Sequence, residues 1–115
     1  MIQAGRVVLF RIPQTDQTPG KLRPALVIRK LPAPYDDWLI CMISSQLSQL
    51  IPGFDEIIKE EDADFGQSGL KTSSVIRISR LAVVEKSTLL GSIGSISADR
   101  LNVIKDRLSA WLKSA

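Results

Sequence analysis

Apolar positions along the chain gather in short runs separated by turn formers, and only once do they fall into helical spacing. Val7 to Ile12 reads as a first strand, with Val8, Phe10 and Ile12 on one face and Arg11 on the other. Pro13 to Gly20 is dense in turn residues and reads as a loop. Leu22 to Arg29 predicts a second strand, buried from Ala25 to Ile28 and entered through Pro24, whose missing N–H suits a strand start rather than its middle. Leu31-Pro32-Ala33-Pro34 interrupts the sheet, and the almost wholly apolar run Trp38 to Ser44 predicts a central strand. Phe54 to Ile58 predicts a shorter strand, and Glu60 to Gly69 an acidic loop. Thr72 to Ser79 alternates as a strand, and Leu81 to Val84 continues it after a bend. Gly91 and Gly94 then punctuate a short segment before the helix. Ser97 is a good N-cap and Asp99 suits the first turn; Leu101, Ile104, Leu108, Trp111 and Leu112 form one apolar stripe. The expected fold is mainly β (α+β): a bent antiparallel sheet or small barrel closed by a C-terminal helix, in one domain over residues 1–115.

Composition narrows the chemistry. With 44% apolar and 23% charged residues, the chain is that of a globular domain. No apolar run approaches a membrane span and no leader pattern is visible, so a cytoplasmic location and no membrane partner are expected. Cys41, the single cysteine, lies in an apolar run and is expected to be a packed thiol. Histidine is absent, which removes the commonest general base and metal ligand; no metal and no cofactor are expected. Carboxylates, hydroxyls and cations are left to do any catalysis.

The net charge of +3 is unevenly spread: residues 53–70 sum to −5 and the remainder to +8. A basic body is consistent with a polyanion partner. Arg23 is the foremost cation, placed between a loop and a buried strand, where a guanidinium can hold an anion in fixed geometry. Lys21, Arg11 and Lys71 are candidates for following a nucleic-acid backbone.

Taken in order, the pieces Gly5-Arg6-Val7-Val8, Thr15-Asp16, Lys21-Leu22-Arg23-Pro24-Ala25-Leu26-Val27, Ile40-Cys41-Met42-Ile43-Ser44-Ser45, Gly69-Leu70-Lys71-Thr72-Ser73-Ser74-Val75-Ile76-Arg77 and Ile93-Gly94 resemble the PemK/MazF family of toxin–antitoxin ribonucleases. The resemblance implies an SH3-like small β-barrel with a C-terminal helix, a homodimer, an antitoxin partner, and metal-independent cleavage of single-stranded RNA. It also implies catalytic roles for Arg23, for Ser44 in place of the family's threonine, and for Arg77, with Asp16 as the nearest available acid. Thr15, Lys21, Ser45, Lys71 and Arg11 are the expected RNA contacts.

The chain departs from the family at Arg6, where an acid usually follows the glycine, and at Ser79, where some members carry an acid. Asp16 is also the only acid in the first loop, where members often carry an acidic triplet. The alternative is therefore a non-catalytic protein on the same scaffold, binding RNA or poisoning a topoisomerase as the related CcdB group does. On the nuclease reading the RNA 2′-hydroxyl attacks the adjacent phosphate. Arginine suits charge neutralisation there but not proton abstraction, which falls to Asp16 or to a water held by Ser44.

Overall fold

The computed structural model describes residues 2–11, 20–32 and 34–115. The strands are β1 (Arg6–Arg11), β2 (Leu22–Lys30), β3 (Asp37–Ser44), β4 (Glu56–Ile58), β5 (Ser74–Glu85) and β6 (Leu89–Ser95). A single helical turn, α1 (Phe65–Ser68), precedes β5, and α2 (Ala98–Lys113) follows β6. All strand pairs are antiparallel and form one open six-stranded sheet in the order β4-β5-β3-β2-β1-β6, with β3 central as its apolar run predicts.

Both faces of the sheet are covered, which is why β2 and β3 read as unbroken apolar runs. Neighbouring residues of a strand point to opposite faces. Val7, Leu26 and Cys41 accordingly join a core completed by α2, while Val8, Val27 and Ile40 join a second core with Trp38 and Leu89. Register shifts between β1 and β6, β2 and β3, and β3 and β5 add local twist to the sheet.

Several elements differ from their sequence reading. The segment around Gly91 and Gly94 is a strand, β6, paired along β1. The acidic loop contains α1, and Gly94 lies against its end: a Cβ on Gly94 would fall 2.2 Å from the Gln67 carbonyl oxygen, and one on Gly69 would fall 2.2 Å from that of Ile93. Two glycines thus permit backbone-to-backbone packing between α1 and β6. Pro24 is the third residue of β2 rather than its first, yet it lies where β2 has only β1 beside it, since pairing with β3 starts at Ala25. The bend before Leu81 is a bulge within one long β5. Ile12, Pro13 and the rest of the first loop up to Pro19 lie outside the described residues.

Ser97 caps α2, its Oγ accepting the Arg100 N–H at 3.1 Å. Ile104 and Leu108 are buried and Leu101 packs on the core, but the stripe runs past the sheet. Leu112 is 67% exposed and Trp111 56% exposed, the Trp111 ring lying 5.8 Å from that of Phe54 between centroids. Among the described residues no helix is long and apolar enough to cross a membrane.

Candidate functional site

The site begins where a ladder stops. β2 and β3 are paired at Ala25 and Met42. Continued two residues further, that register would set Arg23 opposite Ser44, but the ladder ends there. β2 goes on with β1, pairing Arg23 with Phe10, while β3 goes on with β5, pairing Ser44 with Val75. The divergence opens a cleft of about 920 Å³ with Leu22, Arg23 and Pro24 on one wall and Met42, Ile43, Ser44 and Ser45 on the other. Lys71 and Thr72, after α1, and Arg77 and Arg80 of β5 complete it.

Four cations, Arg23, Lys71, Arg77 and Arg80, line this cleft, and no carboxylate does so among the described residues. Three acids of the nearby acidic segment are engaged elsewhere. Arg100 of α2 binds Glu56, Asp62 and Asp64 at 3.2, 2.9 and 2.9 Å, and Arg107 binds Glu56 at 3.1 Å. The Arg100 guanidinium, chiefly through hydrogen bonding, holds the Asp64 carboxyl at about 2, below its ordinary 3.8, and Asp62 is also lowered, first by the Lys59 N–H. These acids neither fill the cleft nor quench its cations. The Arg77 Nε is buried and has no hydrogen-bond partner among the described residues.

Ser44 is set as a donor. Its Oγ accepts the Gln46 N–H at 3.1 Å, which leaves the hydroxyl proton to turn into the cleft. Gln46 and Gln49 also line the cleft, their carboxamides 3.4 Å apart on the turn after β3. Cys41, by contrast, is fully buried, and burial first, then the Asp55 charge, pushes its thiol up to about 12; it is a packing residue, as expected.

Of the sequence candidates, the cleft therefore gathers Arg23, Ser44, Ser45, Lys71 and Arg77. Lys21 is exposed next to the lining residue Leu22, and Arg11 donates to the Gly20 carbonyl at 2.6 Å; neither lines the cleft. Thr15 and Asp16 lie outside the described residues. Arg80, Gln46 and Gln49 escaped the sequence reading. Arg80 depends on the bulge, and the glutamines sit beyond the strand end with no apolar pattern to place them.

A family model for the PemK-like, MazF-like toxin of type II toxin–antitoxin systems matches residues 3–112. The chain belongs to this family. PemK/MazF toxins are known for endoribonuclease activity and antitoxin partners. Solved structures share the PemK/MazF fold. The Mycobacterium tuberculosis toxin MazF-mt6 gives a TM-score of 0.66 at 14% identity, over 96% of this chain and 98% of that one. An endoribonuclease in complex with its cognate antitoxin, from a mycobacterial species, gives 0.66 at 15% identity, over 100% and 98%. A MazE–MazF structure from Deinococcus radiodurans gives 0.72 at 20% identity, over 99% and 97%. No curated protein matches the chain in sequence.

Proposed function

We propose that this toxin is an endoribonuclease that cuts single-stranded RNA by attack of a 2′-hydroxyl on the adjacent phosphate, without a metal ion. The observation that carries the reading is the cleft itself: four cations and, among the described residues, no carboxylate, opened by the divergence of β2 and β3 at the level of Arg23 and Ser44.

Attack of the 2′-oxygen puts extra negative charge on phosphorus. The planar fork of Arg23 matches two phosphate oxygens, stays charged, and is held by a strand rather than a loop. Ser44 donates its hydroxyl proton to a phosphate oxygen, while one of its two lone pairs accepts the Gln46 N–H and the other is left to hold a water. Arg77, on the cleft lining, offers its guanidinium to the phosphate or to the leaving 5′-oxygen. Together these cations supply the positive charge that a divalent ion supplies in other nucleases. The 2′-proton goes to Asp16, the only acid of the first loop, or to a water on Ser44. The P–O5′ bond then breaks and the leaving 5′-oxygen takes a proton from water, leaving a 2′,3′-cyclic phosphate and a 5′-hydroxyl.

The family supports an antitoxin that restrains this activity, and the same reading takes the working form as a cytoplasmic homodimer. The deciding experiment is incubation of pure protein with a long single-stranded RNA in EDTA, followed by mapping of the ends. Cuts with 5′-hydroxyl ends are expected. Cleavage abolished by EDTA and restored by magnesium overturns the mechanism, and binding without any cleavage leaves the non-catalytic reading in its place.

A further inference from the structure

Arg77 and Arg80 are three residues apart in β5, and in a regular strand such residues face opposite sides of the sheet. Both nevertheless line the cleft. The cause is the bulge: Met42 pairs with Arg77 but its neighbour Cys41 pairs with Leu81, so Ile78, Ser79 and Arg80 have no opposite numbers on β3. Insertion of an odd number of residues resets the phase of the strand.

The bulge is anchored. Ile78 is wholly buried in the main core. Ser79 donates both its N–H, at 3.0 Å, and its hydroxyl, at 3.3 Å, to Asp55, which is itself buried and also takes the Ile51 N–H at 3.0 Å. Arg80, the third bulge residue, is exposed and has neither an ion pair nor a side-chain hydrogen bond among the described residues. A long cation on a rigidly held kink, aimed into a cleft that already has its reacting centre at Arg23 and Ser44, has no internal task in the fold.

We propose that Arg80 forms a second phosphate subsite beside the Arg23–Ser44 centre, so that the preferred substrate is an RNA strand carrying a further phosphate next to the one attacked. The inference rests on the cleft being an RNA-cleaving site. Arg80 is a positioning residue: it holds the strand through a neighbouring phosphate and does not touch the reacting atoms.

The test compares wild type with Arg80→Gln, which removes the charge, and Arg80→Lys, which keeps it. Binding is measured against salt with a 2′-fluoro RNA strand, which 2′-hydroxyl attack cannot cut. A plot of log K against log salt for Arg80→Gln should be shallower by about 0.7, the loss of one phosphate contact on a single strand, and Arg80→Lys should restore the slope. Replacing the phosphates of that strand one at a time by neutral methylphosphonates should reveal one position that weakens wild type but not Arg80→Gln. With cleavable RNA, Arg80→Gln should raise KM several-fold and leave kcat unchanged. An unchanged salt slope, or a kcat loss at constant KM, overturns the proposal. If wild type cuts no RNA, the nuclease reading falls, while the slope and the methylphosphonate scan still decide Arg80.

Discussion

Arg23 has little to do with packing: it is exposed, one residue before Pro24, and lies on the cleft wall. Arg23→Ala should therefore lower cleavage by on the order of 10²–10³, the usual effect of removing one preorganised donor, with the melting temperature unchanged. Arg23→Lys should recover only part of the rate, because an ammonium lacks the bidentate fork. Initial rates on a long RNA and a thermal melt of each variant check this, and near-wild-type cleavage by Arg23→Ala would remove Arg23 from the chemistry. Ser44→Thr should keep activity and Ser44→Ala lose it, since only the hydroxyl proton is used. Arg23, Ser44, Ser45, Lys71 and Arg77 were legible because a family resemblance in the sequence marks them, and the cleft brings them together. Arg80 was not, since a regular strand would point it away from Arg77 and nothing in the local sequence announces a three-residue bulge. Nor did the sequence tell that Glu56, Asp62 and Asp64 would be claimed by Arg100 and Arg107, far along the chain.

Strands with both faces buried were the easiest elements to find, and β6 the hardest, because its glycines resemble punctuation. Of the two, Gly94 serves the packing of α1, whereas a Cβ on Gly91 would meet nothing. Gly94→Ala should be strongly destabilising: the new methyl would sit 2.2 Å from the Gln67 carbonyl oxygen and 2.5 Å from the Ser68 carbonyl carbon, both backbone atoms that no rotamer change can move aside. A large fall in melting temperature is expected, against little change for Gly66→Ala, where the added carbon meets nothing. The joint between α2 and the acidic segment sets the response to acid. Asp64 is held at about 2 in the folded protein against an ordinary 3.8, so its ion pair stabilises fully above that ordinary value and is lost as pH falls through about 2. The urea midpoint should drop across this window, and Asp64→Asn should be less stable at neutral pH with a flatter acid dependence. A wild-type midpoint that holds steady down to the folded value would contradict it.

For the molecule as a whole, the proposed mechanism makes the 2′-hydroxyl the distinguishing feature of the substrate. An RNA with one deoxy nucleotide at the cleaved position should bind, weaken with salt, and inhibit competitively without being cut. Equal cutting of the all-ribo and singly deoxy strands would mean that water or a protein group is the nucleophile. Light scattering should give twice the 12.7 kDa chain mass, and a monomer at high micromolar concentration would rule out the homodimer. The Arg100 hub also bears on how the chain comes into being. Synthesis runs from the N-terminus, so Glu56, Asp62 and Asp64 leave the ribosome well before the guanidinium that clamps them, and β1 well before its outer partner β6. A nascent chain that has not yet reached α2 holds three carboxylates without their shared counter-charge, and these stand just ahead of the Lys71–Thr72 wall of the cleft. A chain cut short before α2 would therefore lack the counter-charge that holds these carboxylates away from the cations of the cleft.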